Sequence, residues 1–256
     1  MTGQVQEDIS DTFHLASNNS VATKRFLASQ RANYSARVAA LYQEQFSHPL
    51  ETETVRLPEA NRNIDKTLAA SIIDRRSSRD FGDTPMTLEE VATISFLACG
   101  VQGGNEKSDA QRNVPSSGGL GSVELSLIVQ NVTGLTPGIY SYDSVRHCLV
   151  PKHYGDYREW LVRDLFYQIE FSACATVFCL AVNMRRLKKK YGIRGYRLGL
   201  MDAGHVSQNI NLVAGALGLA ACPSAGYIDA ELNRALKIDG LATTAVLSVL
   251  IGKMKQ

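Results

Sequence analysis

The sequence lacks paired cysteines, long apolar runs and any strong excess of charge of one sign. Its five cysteines form no C-x-x-C pair, which argues against a disulfide framework and a zinc site. No stretch is apolar enough to span a bilayer, and Met1 to Asp11 is too polar for a secretory signal. A net charge of +2 gives no basic excess of the kind expected in a general nucleic-acid binder. We therefore expect a cytoplasmic protein that binds neither nucleic acid nor membrane.

Common catalytic signatures are missing as well. Gly119-Leu120-Gly121 has no third glycine and follows no strand, so it fails the dinucleotide-binding fingerprint. The chain has no G-x-x-x-x-G-K, H-E-x-x-H or G-x-S-x-G motif, and its five histidines are scattered. Kinase and hydrolase chemistry lose their main support. At 256 residues, the chain is still long enough for a substantial core and a cofactor-sized cavity.

Helical and extended patterns are mixed along the chain. Thr87 and Glu90 form a capping box that predicts a helix over Leu88 to Cys99. Apolar residues at helical spacing, Met201 and Ile210 among them, predict a central helix over Leu198 to Leu219. Apolar runs predict strands over Val123 to Val132, Gly138 to Tyr142, His147 to Val150, Ala173 to Val182 and Thr244 to Ile251. Few strands separated by helices favour an α+β sandwich.

The chain divides by composition near residue 65. Residues 1–65 are expected to form a helical extension, with an amphipathic helix from Val21 to Phe46 that packs on the main body or on a partner. Residues 66–256 are expected to form the main domain. No internal repeat is visible.

Two short segments are candidate anion and ring binders. Arg75, Ser77 and Arg79 alternate, so on an extended backbone they share a face and could meet a phosphate, although a solvated basic surface explains them equally well. Phe81 would anchor this segment in the core. The turn from Pro115 to Gly119 offers two hydroxyls and a backbone without side chains, which could let a flat ring approach closely. On composition alone, an ordinary loop is the simpler reading.

Taken in order, the motifs resemble a known family. The chain from Ile72 to Lys253 is similar to the SagB-type dehydrogenases of the nitroreductase superfamily. The motifs that carry this resemblance are Arg75-Arg76-Ser77-x-Arg79-x-Phe81, Pro115-Ser116-Ser117-Gly118-Gly119, Pro137-Gly138-Ile139-Tyr140-x-Tyr142, Lys190-Tyr191-x-x-Arg194-Gly195-Tyr196-Arg197, Gly204-His205-x-x-Gln208-Asn209 and Ile251-Gly252-Lys253. Each motif is weak alone, and their number and order make the match specific.

The resemblance implies an α+β nitroreductase-like fold with a central, mainly antiparallel sheet flanked by helices. It also implies FMN, a homodimer with two active sites at the subunit interface, and oxidation of thiazolines or oxazolines to azoles in ribosomally made peptides. The residues it assigns to FMN are Arg75, Arg76, Ser77, Arg79, Pro115, Ser116, Ser117, Gly118, Asn209, Ser224, Ala225, Gly226 and Lys253.

The same resemblance places the acid-base pair at Lys190 and Tyr191. Aromatising an azoline removes a proton and a hydride from neighbouring carbons, so it needs a base as well as a flavin acceptor. Either residue could be the base, and a solvated basic run over Arg185 to Lys190 is the alternative. Two other functions stay open, namely an NAD(P)H-dependent nitro- or quinone reductase and a flavin-stabilised scaffold of a peptide-modifying complex.

The sequence departs from the family pattern in two respects. Gly121-Ser122 stands where the family has Tyr-Pro, which alters a substrate-facing wall or the rigidity of the loop. No leader-peptide-binding domain is recognised before the flavin-binding part. We therefore expect a cyclodehydratase partner to deliver the azoline-containing peptide.

Overall fold

The computed structural model describes residues 9–21, 53–102 and 111–255. The predicted helix from Val21 to Phe46 lies outside these ranges except for its first residue. Within them the helices are α1 (Ile9–Ala16), α2 (Leu68–Asp74), α3 (Leu88–Cys99), α4 (Arg158–Trp160), α5 (Met184–Tyr191), α6 (Gly195–Ala216) and α7 (Asp229–Ala235). A π-helical turn, Leu161–Leu165, continues α4, and short 3-10 turns cover Ser117–Gly119, Ile169–Ala173 and Gly192–Arg194.

A seven-stranded sheet forms the centre of the molecule, with strand order β1-β6-β5-β4-β7-β9-β8 and antiparallel pairing throughout. Its strands are β1 (Val55–Arg56), β4 (Val123–Val129), β5 (Gly138–Asp143), β6 (Cys148–Tyr154), β7 (Thr176–Asn183), β8 (Leu219–Ser224) and β9 (Thr243–Lys253). β2 (Val101–Gln102) and β3 (Gln111–Arg112) pair separately. The predicted antiparallel α+β architecture is confirmed.

Both faces of the sheet are covered. Leu127 and Phe178 pack on one side, in the cluster that contains α3 and α6. Their chain neighbours Ile128 and Val177 pack on the other side, with Phe171 and the α4 region. Successive strand residues point to opposite faces, so a strand buried on both faces is continuously apolar. This explains the unbroken run in β7.

Local signals set the helix ends. In α3, Thr87 Oγ1 accepts from the Glu90 amide over 3.1 Å and Glu90 Oε2 accepts from the Thr87 amide over 2.9 Å, which confirms the capping box. The central helix predicted over Leu198 to Leu219 exists as α6, but it begins and ends three residues earlier, and Leu219 is the first residue of β8. The predicted apolar stripe is also wrong at one position. Ile210 is fully buried, whereas Met201 is 58% exposed, because the next residue, Asp202, faces the interior instead.

The five cysteines are all buried free thiols, and burial raises the pKa of both Cys99 and Cys174 to about 12. Across residues 9–21, 53–102 and 111–255, no cluster of three metal-ligating side chains occurs. Within the same ranges, no helix has the length and apolarity to cross a bilayer.

Candidate active site

The turn from Pro115 to Gly119 leads into β4 and is closed by its own hydrogen bonds. Ser116 Oγ accepts from the Gly121 amide over 2.8 Å, and the Ser116 carbonyl accepts from the Gly119 amide over 2.9 Å. Gly118 has a φ of +61°, a left-handed conformation that favours glycine. The turn is therefore a fixed structure that presents its backbone at Gly118.

Asp202, in α6, holds this turn from beneath and is only 3% exposed. Its carboxylate accepts from the Ser117 amide over 2.9 Å, from Ser117 Oγ over 2.8 Å and from Ser122 Oγ over 3.0 Å. Bonds to an ionised acceptor are stronger than neutral ones. The sequence analysis missed this residue. Its only signal was a carboxylate next to an apolar helical stripe.

Arg186 supports the far side of the same loop. Its guanidinium donates to the carbonyl oxygen of Gly121 over 2.8 Å and the side chain is buried. In the sequence, this arginine was one member of a basic run. In the structure, it fixes α5 against the loop, so that the end of α5, with Lys190 and Tyr191, lies beside Gly118.

Lys190 and Tyr191 lie against Gly118. Lys190 Nζ donates to the Gly118 carbonyl over 3.3 Å and lies 5.3 Å from the centre of the Tyr191 ring. A β-carbon on Gly118 would lie 2.2 Å from Tyr191 Oη and 2.3 Å from Lys190 Nζ, so any side chain here would have to displace both groups. Partial burial lowers the pKa of Lys190. The structure thus brings the predicted acid-base pair to the predicted turn. We call Pro115 to Gly119 with Lys190 and Tyr191 the turn site.

The basic motif lies elsewhere, at one end of β8 and β9. The Ser78 amide donates to the Ala221 carbonyl over 2.9 Å, and the Gly82 amide donates to the Lys253 carbonyl over 2.8 Å. Phe81 is 5% exposed and packs in the core as predicted. The residues that share this end, which we call the basic edge, are Arg75, Arg76, Ser77, Arg79 and Lys253.

Within the basic edge the side chains differ in their contacts. Arg75 Nη1 lies 3.5 Å from Ser77 Oγ, in agreement with the predicted shared face, whereas Arg76 turns back to the carbonyls of Ile73 and Arg75, at the end of α2. Lys253 forms a partly buried ion pair with Glu90. Any anion that reaches Lys253 competes with this carboxylate.

Three further predicted residues, Ser224, Ala225 and Gly226, lie at the end of β8 and directly after it. The Ser224 carbonyl accepts from Ser248 Oγ over 2.7 Å, and Ser224 Oγ accepts from the Gly226 amide over 3.2 Å. Ala225 and Gly226 are exposed, and a β-carbon on Gly226 would meet only Ser224 Oγ, at 3.7 Å. Asn209, in the middle of α6, donates to the Asn113 carbonyl over 3.4 Å. It contacts neither the turn site nor the basic edge in the bonds that the structure describes.

The turn site and the basic edge lie at opposite ends of the sheet. The turn site is joined to Asn183, whose amide donates to the Ser122 carbonyl over 2.8 Å and which pairs with Thr243 at the start of β9. Lys253 lies ten residues further along β9, roughly 33 Å at the rise of a β-strand. A single chain therefore does not bring the two groups together.

The family model described as the nitroreductase family matches residues 72–253. The chain belongs to the nitroreductase family. This membership makes it an oxidoreductase. The match contains every motif of the turn site and the basic edge, and it leaves the N-terminal 71 residues outside.

Two relatives support this placement. A protein of Methanocaldococcus jannaschii described as a nitroreductase is 32% identical over 188 residues, which cover 73% of this chain and 91% of that protein. The microcin B17-processing protein McbC of Escherichia coli is 27% identical over 157 residues. That match covers 58% of this chain and 57% of McbC, so the chain spans little more than half of that relative.

Solved structures share the fold at low sequence identity. A protein of Anabaena variabilis described as a nitroreductase has a TM-score of 0.66 and 22% identity over 84% of this chain, which spans only 46% of that structure. A chain of the E. coli microcin synthetase McbBCD complex with truncated pro-MccB17 bound has a TM-score of 0.61 and 21% sequence identity. The match covers 83% of this chain and 81% of that one. A Desulfovibrio desulfuricans protein described as a nitroreductase, in complex with FMN, has a TM-score of 0.53 and 17% sequence identity. The match covers 75% of this chain and 88% of that one.

Proposed function

We propose that this protein is an FMN-dependent dehydrogenase that oxidises thiazoline or oxazoline rings in a ribosomally made peptide to the aromatic azoles. The observation that carries the proposal is the convergence of Lys190 Nζ and Tyr191 Oη on Gly118. A plain flavin reductase needs no base at this position, whereas azoline oxidation needs one beside the ring that loses hydride. The kinship with the microcin B17-processing protein McbC supports a peptide substrate.

The residues present suit FMN. Guanidinium, hydroxyl and ammonium groups at the basic edge are the donors that bind a phosphate, and Arg75 and Ser77 already share one face. The exposed backbone of Ala225 and Gly226 is open to a flat ring. An FMN-bound member of the same fold supports this cofactor. When bound, FMN supplies the hydride acceptor.

We infer that the working site takes its two parts from two subunits. The basic edge and the turn site lie too far apart in one chain to surround the same isoalloxazine ring. Exposed apolar side chains line α2 and α6, including Ile72 (53% exposed), Ile73 (68%) and Met201 (58%). Such a surface is typical of a protein contact. A symmetric homodimer would cover it and complete both sites.

In this site Lys190 takes the proton. Loss of the α-carbon proton to neutral Lys190, with hydride leaving the adjacent ring carbon, breaks two C–H bonds and leaves the aromatic azole and a lysine ammonium. The lowered pKa of Lys190 raises the fraction of free amine near neutral pH. Gly118 holds the amine through its carbonyl, and the Tyr191 hydroxyl lies against the same glycine.

A pH profile tests this assignment. The rate of azoline oxidation is expected to rise with pH through an apparent pKa below that of an ordinary lysine, because only the deprotonated amine accepts the proton. Tyr191→Phe should keep this rise of the rate with pH. Lys190→Gln should lose the rise together with most of the activity. Lys188→Ala, which removes an exposed lysine from the same helix, is the matched control. An unchanged profile in Lys190→Gln would refute the role of Lys190.

Substrate delivery is proposed to involve a cyclodehydratase partner that makes the azoline. The support is the shared fold with a chain of the microcin synthetase McbBCD complex, which holds a truncated precursor peptide. Co-purification with the cyclodehydratase, followed by mass spectrometry of the peptide, tests the partnership.

The competing function is a nicotinamide-dependent nitro- or quinone reductase. It is favoured by the relative described as a nitroreductase, which this chain matches over 91% of its length. Rapid reduction of bound flavin by NADH or NADPH, with no loss of hydrogen from an azoline peptide, would establish it in place of the dehydrogenase.

A further inference from the structure

The helix α1 is bound by arginines that follow the turn site in the chain. Arg194 Nη1 donates to the Ser17 carbonyl oxygen over 3.1 Å. Arg197 Nε donates to Ser17 Oγ over 2.6 Å, and its Nη2 donates to the carbonyl oxygen of His14. The His14 carbonyl lies in the last turn of α1, where it also accepts from Ser17 Oγ over 3.2 Å, and the Ser17 carbonyl directly follows the helix. Carbonyl oxygens at the C-terminal end of a helix attract cations.

An aromatic contact completes this arrangement. The rings of Phe13 and Tyr196 meet edge to face, with centroids 5.2 Å apart and planes at 75°. Phe13 and Ser17 are one helical turn apart, so both reach the same surface. We call Arg194, Tyr196 and Arg197 the docking site. Two of its three guanidinium bonds go to main-chain carbonyls, which any peptide offers.

The docking site keeps its positive charge. Among the side chains that the structure describes, no carboxylate lies within ion-pair distance of Arg194 or Arg197. The guanidinium groups donate instead to the carbonyl oxygens of His14 and Ser17 and to the Ser17 hydroxyl. A peptide with equivalent oxygens could replace them without disturbing an ion pair.

Within the residues that the structure describes, α1 is attached to the docking site through Phe13, His14 and Ser17. Ser17 is 1% exposed, whereas Ile9 is 85% and Leu15 is 70% exposed. At eight residues, α1 is also too short to be stable on its own. Its position therefore depends on tertiary contacts, and those with the docking site are among them.

The docking site adjoins the proposed catalytic pair. Arg194 is three residues beyond Tyr191, at the end of a 3-10 turn. Tyr196 lies six residues before Asp202 in α6, roughly 9 Å along the helix, and Asp202 holds the turn at Ser117. The docking site is therefore close to the proposed catalytic pair along the chain.

We propose that the docking site is a receptor for peptide main chain, that α1 occupies it in the resting protein, and that the peptide flanking the substrate azoline displaces α1. Only the identity of the displacing peptide rests on the proposed function. The arginine-carbonyl contacts position the substrate, and α1 competes with it from within the same chain.

Binding of a labelled peptide tests the receptor directly. The probe is a fluorescent peptide of residues 9–21, and the protein is the full chain carrying Phe13→Ala and Ser17→Ala. These substitutions remove the aromatic contact and the hydroxyl bond, which weakens the attachment of α1, and we call this variant the opened protein. We expect the opened protein to bind the probe about tenfold more tightly than the unaltered chain, because its own helix no longer competes. Adding Arg197→Ala to the opened protein should weaken its binding of the probe about tenfold, because two charge-assisted bonds are lost.

The controls are matched to these changes. Arg185→Ala removes an exposed arginine from the same basic segment, and Leu15→Ala shortens an exposed side chain of α1. Both should leave probe binding unchanged. Equal affinity of the opened protein with and without Arg197 would overturn the proposal.

The role of the substrate is tested separately with the unaltered protein. An azoline peptide is expected to compete with the probe and to increase deuterium uptake by the amides of α1. It should also show a lower KM with the opened protein. If it changes neither probe binding nor exchange, its part in the proposal is refuted. Both binding measurements work without flavin or turnover, so failure of the dehydrogenase assay leaves them interpretable.

Discussion

Mixing two inactive variants tests whether one active site is built from two chains. Arg79→Ala removes a predicted phosphate contact at the basic edge, and Lys190→Ala removes the base at the turn site. These residues lie at opposite ends of the sheet, with roughly 33 Å of β9 between those ends. In a mixed dimer, one site then collects both substitutions and the other collects none.

The expected magnitude follows from counting sites. Random exchange of equal amounts makes half of the dimers mixed, and each mixed dimer has one intact site of two, so activity returns to about one quarter of the unaltered level. As the reverse test, unaltered chain mixed with a double variant should fall to about one quarter if sites are shared, and to about one half if each chain holds a whole site.

Azoline oxidation is measured by mass spectrometry after subunit exchange, with differently tagged chains to verify that mixed dimers form. Each variant alone is the control for residual activity. No recovery in verified mixed dimers of the two single variants would refute the shared site, and so would retention of half the activity in the reverse mixture.

Three further substitutions test the local geometry. Asp202→Asn should lower the free energy of unfolding by about 2–3 kcal/mol, because the amide keeps only one of the two acceptor oxygens and the bonds that remain are neutral. Denaturant titration checks this, and a change below about 0.5 kcal/mol contradicts it. Gly118→Ala should cost about a hundredfold in kcat/KM by pushing the catalytic pair aside, while Gly134→Ala, with a φ of +78° and open space around it, should keep full activity per folded molecule. Glu90→Gln preserves the helix cap and releases Lys253 from its ion pair, so it should tighten FMN binding about fivefold. Flavin fluorescence measures this binding. Unchanged or weaker binding would show that Lys253 does not contact FMN.

The parts of the fold that the sequence predicted are those with local causes. The capping box at Thr87 sets the start of α3 through bonds three residues apart. The run in β7 is continuously apolar because both sheet faces are covered. The pairing of β1 with β6 depends on residues more than ninety positions apart, which no local pattern encodes. The helix predicted from Val21 to Phe46 remains a prediction.

The candidate site divides in the same way. Its residue types and their order predicted the nitroreductase superfamily, and the family model confirms that level of the resemblance. The contact of Lys190 with the Gly118 turn is in keeping with the predicted acid-base role, which stays a prediction. Asp202 binds that turn through Ser117, which lies 85 positions earlier in the chain, and no local sequence pattern predicts this contact. A run of similar lysines also conceals which one faces inward. Lys188 and Lys189 are exposed, and only the position of α5 turns Lys190 toward the loop.

The most direct test of the central claim is a single-turnover reaction between the FMN-loaded protein and an azoline-containing peptide without oxygen. The account predicts that each peptide ring loses two hydrogen atoms while one equivalent of flavin is bleached, and that Lys190→Ala prevents both. A flavin that stays oxidised beside an unchanged peptide, yet is bleached at once by NADH or NADPH, would contradict it.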